Sequence, residues 1–173
     1  MKENKEQKVV IQHYIPQCIL KNFANEKDQV YEGLVLEKKS YLTNVSNSMA
    51  ERFTYEHSLI EVNALENFFS RIESYIGPAL TRIISAIENN SGNFKDLKEI
   101  KNLISRYMRE YLIFYYRSGA LLHEFSHEQK TPEDRVLLLL RKLVNSNYIK
   151  GLSQTILNNY SYCLLKSNEG HFV

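Results

Sequence analysis

Cysteine is scarce in this chain: Cys18 and Cys163 are the only two among 173 residues. Each stands in an apolar helical context, so the expectation is buried, reduced thiols rather than a disulfide. Long apolar runs are absent too. No stretch approaches the ~20 apolar residues of a membrane-spanning helix, and the start, MKENKEQKVV, lacks the apolar run of a signal peptide. Charge of one sign is also missing. A formal net charge of +2 supplies no electrostatic pull toward nucleic acid, an anionic membrane or acidic substrates. No glycine-rich phosphate loop, no nucleophile elbow and no Cys/His zinc spacing occurs. These absences predict a soluble cytoplasmic protein, with no cofactor evident and no membrane association.

What is present is ordinary globular material, 43% hydrophobic and 24% charged, in one domain's length, enough to bury a substantial core. Residues 1–8 are charged and read as flexible. Residues 9–60 read as an N-terminal unit. A short helix is expected over 16–24, where Pro16, Ile19, Leu20 and Phe23 fall at i, i+3, i+4 and i+7 behind a helix-starting proline. A hairpin pairing 30–36 with 41–45 follows from QVYEGLVLEKKSYLTNV, with a polar break at Glu37-Lys38-Lys39. Phe53 and Tyr55 then serve as anchors in a polar connection.

From residue 61 the pattern is helical, and 61–173 read as a bundle. A first long helix spans 61–89, bent or split at Gly77-Pro78. A second runs over 95–127. A third covers 132–144, started by Thr131-Pro132, and a last one 148–165. The fold expected is mainly α, a bundle of about four to five helices with a small N-terminal β-hairpin, all in a single domain.

The most conspicuous motif is HEFSH, with His123 and His127 four residues apart around Glu124. Zinc hydrolases use this spacing to place two ligands on one helical face with the glutamate as general base. Here it falls in the last turns before the breaker KTPED, and Glu128 and Gln129 follow it. At ~100° per residue the histidines also lie at or beyond the edge of the apolar arc. A third ligand would have to come from Glu133, Asp134 or a remote acid. The favoured reading is a pair of histidines ending a helix near its negative pole.

Glu66 and Glu73 lie two turns apart on one side of the first long helix, flanking its apolar face. Carboxylates at such a border can be desolvated for acid–base or metal work, or can pair with an arginine of a neighbouring helix, which is the preferred reading. On the second long helix Arg106, Arg109 and Arg117 fall on the polar side of the wheel among Glu99, Glu110 and Glu124. Arg106 and Glu110 have the spacing of an i,i+4 pair. Mixed signs there suggest an ion-pair surface, with phosphate binding by the arginines as the alternative. The twelve tyrosines and eight phenylalanines read as bundle packing with hydroxyls at the rim.

The opening QHYIPQCILKNFAN resembles the signature of a bacterial family catalogued as domain of unknown function 4238, in a His-Tyr-x-Pro-x-x-x-Leu-x-x-Phe string at His13, Tyr14, Pro16, Leu20 and Phe23. MAERFTYE is similar to its Ala-Glu-x-x-Phe-Tyr segment, with Glu51 and Phe53 in register. LENFFSRIESYIGPAL resembles its Leu-Glu…Ile-Glu helix through Glu66 and Glu73, and YMREYLIFYYRS its arginine-bearing helix through Arg109 and Arg117. The resemblance implies a longer chain with a Ser-Asp-x-Pro motif and further sheet, so this chain is expected to lack that C-terminal part. It implies no particular reaction. Two readings of its overlapping positions follow. In one, His13, Glu51, Glu66 and Glu73 form a His/carboxylate cluster for a metal-dependent hydrolase or nuclease-like reaction. In the other, preferred, they lock the N-terminal segment onto the bundle in a non-catalytic interaction or sensing module whose partner is a protein or a second copy.

Overall fold

The computed structural model describes residues 7–89, 93–117, 132–144 and 147–161. Its elements, in chain order, begin with β1 (Ile11–His13) and α1 (Gln17–Leu20), the latter running into a 3-10 turn, Lys21–Phe23. Strands β2 (Gln29–Leu34), β3 (Lys39–Asn44) and β4 (Ala50–Arg52) follow. The helices are α2 (Ala64–Glu88), α3 (Phe94–Arg106), α4 (Met108–Arg117), α5 (Pro132–Leu139), a π-helical turn Leu140–Val144, and α6 (Tyr148–Asn159). The fold is mainly α with a small N-terminal β-hairpin. Among the described residues no helix is long and apolar enough to cross a membrane.

Helix α2 is the spine. Leu65, Phe69, Ile72, Ile76, Ala79 and Ile83 recur every three or four residues and are all buried, which is the single stripe a surface-lying helix needs. It stays continuous through Gly77-Pro78 instead of splitting there. Pro78 faces solvent, so its missing N–H and its ring crowd only the wet side, while the stripe on either side remains packed. Gly77 has a separate reason. A Cβ there would lie 3.4 Å from the Cβ of Cys18, so glycine lets α1 pass close to α2.

The expected helix over 95–127 is interrupted. It stops at Arg106, and Tyr107, at φ −108° and ψ 12°, separates it from α4. Both halves meet α2, α3 along its length and α4 through Arg117 and Glu110, while α4 also packs along α6. Residues 118–131, with His123 and His127, lie outside the described residues, as does Cys163. The last helix ends earlier than expected, because Tyr160 is extended at φ −123°, ψ 144°. Cys18 is a free thiol.

The hairpin forms one residue earlier than its apolar pattern suggests, with Gln29 opposite Asn44 and Leu34 opposite Lys39. Its turn is Val35–Lys38, where Lys38 takes the left-handed φ of 51°. A second antiparallel pair was not expected from the sequence: β1 and β4 align Ile11 with Arg52, Gln12 with Glu51 and His13 with Ala50. Bonds from Tyr14 N–H to the Met49 carbonyl and from Phe53 N–H to the Val10 carbonyl, both 3.0 Å, extend it at each end. Leu20, Val30 and Val45 make a small satellite core, whereas Phe23 does not join it and is 77% exposed. The main core gathers Tyr55 and the α2 residues Leu65, Phe69, Ile72, Ile76 and Ala79 with Ile113, Phe114, Leu139, Leu143 and Ile149.

Candidate functional site

The most unusual side chain in this core is an arginine. Arg117, the last residue of α4, is 1% exposed. A buried guanidinium is costly unless its charge is answered and its donors are satisfied, and here several segments answer it. Helix α2 presents Glu66, Phe69 and Glu73 on one strip, since spacings of three and seven residues bring side chains to nearly the same side. The Arg117 Nη1 donates to Glu73 Oε1. Its Nη2 lies 3.8 Å from Glu66 Oε2, close enough to attract and too far for a hydrogen bond. The guanidinium carbon sits 4.3 Å from the Phe69 ring centroid and 5.5 Å from that of Tyr55, so two π faces add to the two carboxylates.

Tyr55 ties this knot to the N-terminal segment. Arg117 Nε donates to the Tyr55 hydroxyl at 3.3 Å, and that hydroxyl reaches the His13 carbonyl at 3.2 Å and the Arg117 carbonyl at 3.4 Å. Burial pushes the phenol up to about 12, against the pull of Arg117, so it stays a neutral donor. The Tyr55 N–H donates to Gln12 Oε1 at 2.7 Å, and Gln12, fully buried, donates in turn to Glu56 Oε1 at 3.3 Å.

The same glutamate accepts from the Asn63 N–H at 3.2 Å. Asn63 holds a left-handed φ of 60°, a conformation asparagine tolerates better than most residues. There its side chain accepts from the Val9 N–H at 2.8 Å and donates to the Gln7 carbonyl at 3.0 Å. Lys8 adds an ion pair to Glu56 at 3.7 Å. Gln7 and Lys8, read from sequence as part of a flexible start, are thus held.

His13 is 9% exposed in β1, and its Nε2 has no hydrogen-bond partner. Burial pushes the imidazole below its ordinary value. The Arg117 charge adds to that, while the backbone at Val45 and Ser46 and the Glu73 carboxylate pull the other way. Glu66 is pushed up by burial, against the Arg117 charge, and its Oε2 likewise has no hydrogen-bond partner. Burial disfavours the charged form of both groups, and on Glu66 it outweighs the opposite pull of the Arg117 charge.

The candidates from sequence therefore divide. Glu66, Glu73 and Arg117 meet at one place, and His13 joins them through its carbonyl, bonded to the Tyr55 hydroxyl. Glu51 does not reach it: it is exposed on β4, opposite Gln12. Arg106 and Arg109 are exposed on the outside. Arg109 pairs with Glu110 at 3.6 Å, and the Arg106 guanidinium lies over the Tyr107 ring at 5.6 Å instead of pairing with Glu110. The placement of Arg117 on a polar wheel face is corrected: Glu110, Ile113, Phe114 and Arg117 form the buried stripe of α4, at spacings i, i+3, i+4 and i+7. Among the described residues no three His, Cys, Asp or Glu side chains gather closely enough to hold a metal ion. Sequence reasoning missed Gln12, Glu56 and Asn63. The one available signal was a pair of polar residues, Gln12-His13, inside the apolar stretch VVIQHYI.

Fold and site together define a helical bundle whose N-terminal strand is fastened into it by a buried polar knot. The chain belongs to the family described as Protein of unknown function (DUF4238), whose model matches residues 11–150, a span that includes every member of the knot. No curated protein and no solved structure matches the chain.

Proposed function

We propose that the chain is a non-catalytic interaction or sensing module, in which the Arg117 knot holds the N-terminal segment on the bundle. The observation that carries this reading is the closure of the knot: Arg117 is 1% exposed and takes both Glu66 and Glu73 as its counter-charges. A working acid–base pair needs carboxylates that face a substrate, and these two face a guanidinium. The exposed tip of the β2–β3 hairpin supports the interaction half of the proposal. Val35 and Leu36 there are 88% and 99% exposed, adjacent apolar side chains of the kind that mark contact surfaces. On this reading the partner is a protein or a second copy of the chain, and a cytoplasmic setting suits the free Cys18 thiol.

A metal-dependent hydrolase or nuclease-like enzyme is the second reading. It draws on two of the four buried side-chain atoms that lack a hydrogen-bond partner among the described residues, His13 Nε2 and Glu66 Oε2. Metal analysis of the purified protein after incubation with zinc or manganese, combined with thermal unfolding of His13→Ala and Glu73→Gln, separates the two. The module reading expects substoichiometric metal and a lower melting temperature for Glu73→Gln, because the carboxylate supports the fold. Stoichiometric metal that is lost in His13→Ala, with a melting temperature raised by Glu73→Gln, would overturn it.

A further inference from the structure

The net charge of +2 hides an uneven distribution. Where the second half of α2 faces α3, a groove of about 280 Å³ is lined by Arg82, Lys95, Lys98, Glu99, Asn102 and Arg106, with Leu103 also in its wall. Four cations against one acid leave it a formal +3, more than the whole chain carries. On α3, positions 95, 98, 102 and 106 form a single stripe whose ends are eleven residues apart, roughly 16 Å at the rise of an α-helix. Arg82 reaches in from the opposite helix. Among the described residues none of the four cations is ion-paired, and Arg106 meets only the Tyr107 ring. Like charges held along one groove repel each other until an anion enters.

The lining also narrows the anion. The stripe is too long for one phosphate group to neutralise. Among the described residues no aromatic side chain lines the groove, so nucleic-acid bases would find no stacking platform there. The volume sits at the small end of ligand clefts. We propose that this groove binds a short chain of linked phosphate groups, either a free oligophosphate or the phosphate tail of a nucleotide. Arg82 and Arg106 supply planar, two-pronged contacts, Lys95 and Lys98 act as point charges, and the Asn102 amide adds a neutral donor. The inference rests on this groove alone and is independent of the Arg117 knot.

Isothermal titration of the full chain with inorganic triphosphate at low salt tests it. Saturable binding of one triphosphate per chain is expected, weakened about two- to fivefold by each cation removed, as in Arg82→Gln and Lys98→Gln. Removing the single acid with Glu99→Gln should tighten it by a similar factor. Lys39→Gln, on the distant hairpin, should leave it unchanged. All four positions are exposed, and matched melting curves establish that the variants are folded. A nucleoside triphosphate that binds as tightly as triphosphate, or more tightly, supports the proposal and identifies the source as a nucleotide; a weaker one supports it with free oligophosphate as the source. The proposal is overturned if orthophosphate binds as tightly as triphosphate, or if no saturation is reached at millimolar ligand. Displacement of triphosphate by a trace of single-stranded DNA, or an affinity indifferent to the groove variants, overturns it equally.

Discussion

Replacing Arg117 with methionine removes the charge from the knot while keeping a long apolar stem over Phe69. Breaking a buried ion pair from one side typically costs about 3–5 kcal/mol, because the other charge is left without compensation. Two carboxylates are stranded here, but their side chains keep 15% and 25% exposure, and Glu66 is already pushed toward its neutral form by burial. Both features place the cost in the lower part of that range, about 3–4 kcal/mol at neutral pH. For a domain of this size each kcal/mol lowers the melting temperature by about 2–4 °C, so the drop should be roughly 6–16 °C. Urea unfolding at fixed m-value and calorimetry measure it. Adding Glu66→Gln and Glu73→Gln to R117M should recover half or more of the loss, since the stranded charges are then gone. Lowering the pH should shrink the R117M deficit for the same reason. A variant R117M as stable as the parent would refute the reasoning, as would a deficit that the added glutamines leave untouched.

The pH dependence has two opposed components. His13 is held below its ordinary value of 6.5, so its contribution to stability is complete above 6.5 and is lost as pH falls through the lowered folded value. Glu66 is held above 4.5, so its contribution is complete below 4.5 and is lost as pH rises through the raised folded value. Urea midpoints from pH 4 to 8 should therefore flatten on the first flank in His13→Gln and on the second in Glu66→Gln; unchanged profiles would sink both assignments. Gln12→Ala strands the Tyr55 N–H and should cost about 1–3 kcal/mol, read by the urea midpoint, with a null result telling against the Gln12–Tyr55 link. Gly77→Ala should gain up to about 1 kcal/mol of helix propensity, because its Cβ meets Cys18 at a tolerable 3.4 Å. Gly77→Leu should lose stability, and a melting temperature at or above that of Gly77→Ala would show that α1 does not pass so close.

The α2 stripe was legible in the sequence because Leu65 through Ile83 repeats with helical period and every member is buried. Pro78 misled for a physical reason: its cost depends on which side of the helix it occupies, and residue order does not say. The interruption at Tyr107 was not legible either. Apolar residues continue through RYMREYLIFYYR, so nothing in the residue order marks the break. Arg117 was placed beside Arg106 on the outside of the wheel, whereas it lies on the buried stripe of α4 with Glu110, Ile113 and Phe114. Glu66 and Glu73 could be picked out by their border position, and pairing with an arginine could be named as an option. The choice of Arg117 over Arg109 came only from tertiary structure. The β1–β4 pair is three residues long on each side, too short for an alternating pattern, so Glu51 was grouped with residues it does not meet.

Why a chain would keep a charged knot where apolar side chains could pack is the remaining physical question. Buried ion pairs often contribute little net stability against a well-packed apolar replacement. Their distinctive property is directional: an apolar surface tolerates sliding, whereas a guanidinium must find its acceptors at fixed positions. In this chain the acceptors come from separate segments. Glu66 and Glu73 fix the rotation of α4 against α2. The Tyr55 hydroxyl, which Arg117 contacts, reaches the His13 carbonyl and so sets where β1 lies. Gln12 and Asn63 repeat that constraint on the strand from its other side. With only three residues in β1, the ladder to β4 cannot specify its register firmly by itself. The knot therefore supplies register to a segment whose own pairing is weak, and a module that presents or releases its N-terminal strand would need that control at this point.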